Sequence, residues 1–270
     1  MISYSVSFIC TVYNEERDIE RFLWSIRNQS FQCDEYIFLD GGSKDRTADK
    51  ISRFILDNGL TSWRLMVDYE CNRTVSEGAI ALGRNRAIER ATGDLIIVLD
   101  AGCHADQFCF QHLYQKISEG YDLVGGLTCC EVANKYTSLL IKNDRYNPSS
   151  RNIVFRKTVW ESIGGYSTAY YTGEDTDFNI RIRNKGYNIG QANGAIVFWN
   201  GPTSYEDFKI KMMSYGMGDG KFRNFYGKYL FRYILLLLPI YYIIFFNTKS
   251  YFGAWAYQMG YLRGLRRSDE

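Results

Sequence analysis

The chain has almost no net charge: 32 Lys and Arg stand against 30 Asp and Glu, a formal balance of +2. No overall excess of charge calls for nucleic acid as a partner. Its seven cysteines, Cys10, Cys33, Cys71, Cys103, Cys109, Cys129 and Cys130, contain no C-x-x-C pair, which excludes zinc-ribbon and thioredoxin-type sites. Their number is odd, and several lie in apolar runs, where a thiol packs as a small hydrophobe. A reducing compartment is therefore expected. The first residues enter a strand pattern at once, with no basic-then-apolar leader, and there is no internal repeat or low-complexity tract. A membrane-spanning helix needs about 20 apolar residues, and the apolar stretch between Arg232 and Asn247 offers roughly 14.

What is present is a chain 46% hydrophobic and 270 residues long, enough for a sizeable core in one large domain or two small ones. Its centre of organisation is Gly93 to Asp106. Five aliphatics, Leu95 to Leu99, read as a buried parallel strand that runs into Asp100. Upstream, Ser5–Val12, Glu35–Leu39 and Trp63–Val67 read as strands, and Asp18–Asn28, a segment ending at Asp57, and Gly78–Thr92 as helices. Ser43 and Asp45 are placed to cap the second of these helices. Alternation of this kind predicts a mostly parallel, twisted sheet with helices on both faces. Ligands of open α/β sheets collect at the carboxyl ends of strands. Asp40, Asp100 and the segment Thr11–Glu15 would all leave the sheet at that edge. Beyond residue 120, strands are expected at Tyr121–Thr128, Ile153–Phe155 and Ala195–Trp199, and helices at Thr158–Ile163 and from Glu174 to Asn184. A helix over Tyr205–Tyr226 is expected to be interrupted at Gly216, Gly218 and Gly220, and another covers Gly253–Arg267.

Five segments in order resemble glycosyltransferase family 2. Thr11-Val12-Tyr13-Asn14-Glu15 is similar to its opening T-x-x-N-E. Asp40-Gly41-Gly42-Ser43-Lys44-Asp45-Arg46-Thr47 resembles D-D/G-G-S-x-D-x-T, and Gly83 to Ile88 with Ala91, Gly93 and Asp94 resembles A-R-N-x-A-I…A-x-G-D. Asn152 to Tyr166 resembles N-x-x-F-R…GGY, and Glu174-Asp175-Thr176-Asp177-Phe178 resembles the E-D-x-D-F helix start. The likeness covers about the first 220 residues. It implies the GT-A fold and inverting transfer from a nucleotide sugar. It implies that Thr11, Tyr13, Glu15 and Asp40 line the base and ribose, that Arg84 supports the nucleotide or its phosphates, and that Asp100 lies near a divalent cation, Mg2+ or Mn2+, and the diphosphate. Glu174, Gly165 and Tyr166 would lie on the acceptor side, with Asp175 as the base.

One position departs from the family: Gly102 stands where the second carboxylate of D-x-D would be. A hard cation can still be held by one carboxylate with the diphosphate and waters, and relatives carry the same Asp-Ala-Gly-Cys form. His104 and Asp106 are the nearby groups that could assist, although a polar loop role suits His104 better. In the implied reaction charge develops on the β-phosphate oxygen, where Arg84 and a cation would stabilise it. The acceptor hydroxyl gives its proton to Asp175. The UDP-sugars are the first expected donors and the GDP-sugars the second. The acceptor would be a glycan or a lipid-linked hydroxyl in polysaccharide or envelope biosynthesis. A nucleotidyltransferase would open with a Gly-rich loop and a basic residue, which Thr11–Glu16 lacks. An inactive sugar-nucleotide-binding module has only Gly102 in its favour.

The expected division is a catalytic domain over 1–227 and an aromatic, basic helical tail over 228–270. Tyr229 to Phe246 is flanked by Arg223, Lys228 and Arg232 before it and by Lys249, Arg263, Arg266 and Arg267 after it. Interfacial tyrosines and basic side chains suit an anionic membrane surface. The expected location is cytoplasmic and peripheral on the inner face of the membrane. The alternatives for the tail are an aromatic core against the sheet domain or a homo-oligomer interface.

Overall fold

A computed structural model describes residues 3–72, 78–131, 136, 148–170, 172–221, 226–237 and 248–267. The described chain separates into two compact units. The first comprises Met1–Glu131, Arg145–Ala169 and Glu174–Asn200, and the second Val132–Asp144, Tyr170–Gly173 and Gly201–Glu270.

The first unit is built on one eight-stranded sheet in the order β3-β2-β1-β4-β7-β6-β8-β5. Its strands are β1 (Val6–Val12), β2 (Glu35–Asp40), β3 (Trp63–Val67), β4 (Leu95–Leu99), β5 (Cys103–Ala105), β6 (Leu123–Cys130), β7 (Asn152–Arg156) and β8 (Ile189–Trp199). The first four are parallel to one another, and β7 joins β4 antiparallel. The period-2 pattern assigns residues to faces. Val6, Phe8, Cys10, Leu95, Ile97 and Leu99 pack in one layer with α1 (Ile19–Arg27), α2 (Thr47–Asp57) and α4 (Cys109–Ile117). Ile9, Ile37, Leu39, Ile96 and Val98 pack in the other with α3 (Ala79–Arg90) and α6 (Glu174–Asn184). Helices therefore cover both faces, as the alternation required. A short α5 (Lys157–Ser162) follows β7.

The expected strand and helix positions hold to within a few residues up to Leu99. The strand β5 and the helix α4 were not anticipated, and β8 is longer than the segment expected from Ala195. Ser43 does not cap α2. Its hydroxyl accepts the Asn14 N–H at 2.9 Å, while Asp45 accepts the N–H of Thr47, the first residue of α2, at 3.0 Å.

The second unit contains α7 (Tyr205–Lys221), α8 (Tyr226–Leu236) and α9 (Thr248–Arg267). The glycines expected to interrupt α7 lie within one continuous helix. A Cβ on Gly216 would lie 2.0 Å from the Tyr257 carbonyl oxygen, and one on Gly220 2.1 Å from that of Tyr261. Reciprocally, a Cβ on Gly260 would lie 2.0 Å from the Met213 oxygen, and one on Gly264 2.2 Å from that of Met217. The glycines recur at i, i+4 on both helices, and there the two main chains touch. No described helix is long and apolar enough to cross a membrane. Arg223 and residues 238–247 of the apolar stretch lie outside the described residues.

Candidate functional site

The carboxyl ends of β2, β1 and β4 lie side by side, because the register pairs Val12 with Asp40 and Ile9 with Val98. The segment after β1 is fastened to the segment after β2. Asn14 has φ +55°, a conformation that Asn tolerates better than most side chains. Its Oδ1 accepts the Lys44 N–H at 2.8 Å. The Glu15 N–H donates to Thr47 Oγ1 at 2.8 Å and the Glu16 N–H to Asp45 Oδ2 at 3.1 Å. These bonds shape the loop that carries Thr11, Tyr13 and Glu15, all three half-buried. Gly83 lets α3 approach that loop, since a Cβ there would lie 3.0 Å from Thr11 Cγ2.

Asp40 is fully buried. Its Oδ1 accepts the Ser43 N–H at 2.6 Å, while its Oδ2 is buried with no hydrogen-bond partner among the described residues. A buried carboxylate oxygen left unpaired costs free energy, and such atoms point to an absent donor. Burial raises the Cys10 thiol well above its ordinary value, and Asp100 and Glu15 raise it further.

Arg84, on α3, joins the two halves of the site. Only 3% of its side chain is exposed. Its Nη2 donates to Asp100 Oδ1 at 2.7 Å and its Nη1 to Glu174 Oε1 at 2.6 Å, while its Nε is buried without a partner among the described residues. Its guanidinium lies 5.5 Å from the centre of the Tyr166 ring. Burial opposes the charge on Arg84, but the two carboxylates outweigh burial and raise its pKa. Burial also raises the Glu174 carboxyl, against the pull of Arg84. Asp175 follows Glu174 in the first turn of α6 and accepts the Thr176 N–H at 2.8 Å. Asp177 is taken up by Arg181 at 2.7 Å.

Tyr166 is buried, stacked on Phe178 with ring centres 4.1 Å apart, and its hydroxyl meets Ser150 Oγ at 3.0 Å. It underlies Arg84. Gly165 has φ +74°, and the Tyr166 that follows it is held by Asn85. The Asn85 Oδ1 accepts the Tyr166 N–H at 2.8 Å and the Trp160 Nε1–H at 3.1 Å, and its Nδ2 donates to the Tyr166 carbonyl at 2.8 Å. No local pattern announces the role of Asn85, because its partners lie 75 and 81 residues away.

Asp100 is the more open member of the cluster, with 36% of its side chain exposed. Its Oδ2 lies 4.0 Å from Arg151 Nε. A Cβ at Gly102 would meet nothing within 4 Å. Neither His104 nor Asp106 is turned to supplying the missing carboxylate. His104 stacks on Phe198 and meets Arg21 at 3.1 Å, and burial followed by Arg21 lowers its pKa. Asp106 accepts the Phe108 N–H at the start of α4. Among the described residues no three His, Cys, Asp or Glu side chains form a metal cluster.

Comparison with known proteins follows the same outline. Residues 7–171 match the model of glycosyl transferase family 2, and residues 95–264 match glycosyl transferase family group 2. Glycosyltransferase AglE of Haloferax volcanii is 26% identical over 206 residues, covering 71% of this chain and 65% of that protein. A Methanococcus voltae dolichyl N-acetyl-alpha-D-glucosaminyl phosphate 3-beta-D-2,3-diacetamido-2,3-dideoxy-beta-D-glucuronosyltransferase is 21% identical over 265 residues, covering 87% and 80%. Among solved structures, the mannosyltransferase PcManGT of Pyrobaculum calidifontis, in complex with GDP-Man and Mn2+, superposes with a TM-score of 0.67 at 16% identity. That superposition covers 99% of this chain and 74% of the other, which establishes the GT-A type of fold.

Proposed function

The chain belongs to glycosyltransferase family 2 and is a glycosyltransferase; we propose that it moves a sugar, with inversion, from a nucleoside diphosphate sugar to a hydroxyl of a glycan or lipid-linked acceptor in polysaccharide or envelope biosynthesis. One observation carries the reading. A single buried guanidinium, Arg84, ties Asp100 at the end of β4 to Glu174 at the start of α6, and the proposed base Asp175 is the next residue of that helix. The Oδ2 of Asp40, buried with no partner among the described residues, suits a donor from the base or ribose, with Thr11, Tyr13 and Glu15 at the end of the neighbouring strand β1 and just beyond it.

In the proposed reaction the C1–O bond of the donor breaks, and its electron pair leaves on the β-phosphate oxygen. The acceptor oxygen bonds to C1 from the opposite face and gives its proton to the Asp175 carboxylate. The products are the nucleoside diphosphate and the inverted glycoside. Arg84 has both terminal nitrogens on carboxylates, so its part is to hold Asp100 and Glu174 in place, with Tyr166 beneath it and Asn85 fixing the Gly165–Tyr166 turn. The donor set suits a divalent cation brought with the substrate: Asp100 would be its protein ligand, and phosphate and water would complete the shell. When bound, such a cation would stabilise negative charge on the leaving diphosphate. The relative that acts on a dolichyl phosphate-linked sugar and the neighbour holding GDP-Man and Mn2+ support these choices, and UDP- and GDP-sugars are the donors to test.

Asp175→Asn should abolish transfer while leaving nucleoside diphosphate affinity nearly intact, as read by calorimetry beside a transfer assay. Residual transfer within about tenfold of wild type would place the base elsewhere.

The peripheral membrane part of the reading rests on α8. Leu230, Phe231, Ile234 and Leu237 are each half-exposed or more, and their spacing of i, i+1, i+4 and i+7 puts them on one face. Because α9 shares its contact with α7, a point change tests this better than removal of residues 228–270. Ile234→Asp should reduce binding to anionic liposomes and lower transfer to a lipid-linked acceptor, with donor binding unchanged. Wild-type protein that ignores anionic liposomes would remove this part of the proposal.

A further inference from the structure

The strand β3 ends at Val67, which the register pairs with Asp40. The chain then folds into a short turn, Asp68 to Asn72, in which Asp68 Oδ1 accepts the Glu70 N–H at 3.0 Å. This turn is braced by its neighbours. The Asp68 N–H donates to the Asp40 carbonyl at 2.8 Å. Arg86, on α3, pairs with Asp68 at 3.3 Å and also with Glu70. The Cys71 carbonyl lies so close to Gly41 that a Cβ there would be 2.6 Å from its oxygen. Asn72 Nδ2 donates to the Gly42 carbonyl at 3.4 Å.

The side chain these braces present is Tyr69, which is 73% exposed. Its ring rests on Gly42, where a Cβ would lie 2.5 Å from Tyr69 Cδ1 and 3.1 Å from Cε1. A lone exposed aromatic residue is common on protein surfaces. Tyr69 differs in its place and in the fixing of its backbone. The strand order β3-β2-β1 sets it on one side of the Asp40–Ser43 turn. The half-buried Tyr13 lies on the other side, in the loop that Asn14 fastens to Ser43 and Lys44. An aromatic ring held ready beside a binding edge loses little freedom when a flat ligand stacks on it. Of the parts of a nucleotide sugar, only the base has a π-face to offer.

Resting on the proposed donor reading, we infer that Tyr69 binds the nucleobase of the donor, its ring stacking on the base from the β3 side of the Asp40–Ser43 turn. Gly42 belongs to the same device, because any side chain there would displace the ring.

The test is calorimetry of wild type, Tyr69→Ala and Tyr69→Phe with UDP, UMP, GDP and GMP, with a thermal unfolding midpoint for each protein. Tyr69→Ala should weaken the better-bound diphosphate about fivefold or more. The matching monophosphate should lose the same factor, because both carry the base. Tyr69→Phe, which keeps the ring, should stay within about twofold of wild type. The midpoint of Tyr69→Ala should lie within about 2 °C of wild type, since the side chain removed is exposed. Unchanged affinity in Tyr69→Ala, a loss confined to the diphosphate, or an equal loss in Tyr69→Phe would overturn the inference while leaving the donor reading intact. A loss accompanied by a midpoint lower by about 5 °C or more would also overturn it, by assigning Tyr69 to the stability of the turn. Wild type that binds none of the four nucleotides would remove the donor reading, and this inference with it.

Discussion

The two compact units solve the packing problem in opposite ways. In the first, the interior is filled by large side chains. Phe8 meets Tyr36, Phe38 and Phe110 at ring-centre distances of 5.7, 5.7 and 5.5 Å, and Tyr36 stacks on Trp63 at 4.7 Å. In the second, α7 and α9 meet through glycines set against carbonyl oxygens, with no room for a Cβ. Interdigitated side chains can shift to new rotamers when one of them changes. Two main chains in contact cannot, because the obstacle is the helix itself. The first unit carries buried charge, which its close packing holds in place, and the second derives its contact from the smallest residue type.

The largest loss is expected where the first unit buries charge. Arg84→Met leaves Asp100 and Glu174 without their shared cation and should cost about 3–5 kcal/mol in urea unfolding. A loss below about 1 kcal/mol would mean that the pair is solvated in solution. Next comes the glycine contact. Gly260→Leu should cost about 3 kcal/mol or more, since the added atoms meet backbone, whereas Leu113→Met in the first unit should stay below about 1.5 kcal/mol. Similar costs for the two would break the contrast drawn above. Nucleoside diphosphate binding should survive Gly260→Leu.

The smallest effect is a pH dependence. Burial, against Arg84, keeps the Glu174 carboxyl above its ordinary value, so the folded state retains a proton that the unfolded chain releases sooner. The stability this contributes is complete below the ordinary glutamate value and is lost as the pH rises through the folded value. Glu174→Gln should flatten that fall in a series of thermal unfolding midpoints. A profile unchanged by Glu174→Gln would assign the dependence to other groups.

The strands β1 to β4 were legible because each is mostly apolar, broken only by isolated polar residues such as Ser7 and Arg64, and Asp40 and Asp100 because they end such runs. The start of α6 was legible from its cluster of Glu174, Asp175 and Asp177. Other features depend on distance along the chain. The partners of Arg84 lie 16 and 90 residues away, and nothing local announces them. Three-residue β5 is too short to show alternation. The helix α4 had a readable pattern in Cys109, Phe110, Leu113 and Ile117, obscured by its closeness to the Asp100 segment. The glycines of α7 misled because propensity marks them as breaks, while tertiary contact with α9 makes them the seam.

Synthesis from the N-terminus gives β4 a hazardous interval. Once residue 99 is made, β1, β2, β3 and β4 can associate as a parallel sheet, with β1 covering one edge of β4. The other edge belongs to β7, whose first residue is Asn152. Translation at roughly 5–20 residues per second leaves that edge unpaired for about 3 to 10 s. Leu95 to Leu99 are all fully buried in the finished molecule, and an uncovered strand of such residues is a template for pairing with another nascent chain. The antiparallel strand that brings Arg151 to Asp100 is thus also the guard that closes the growing sheet.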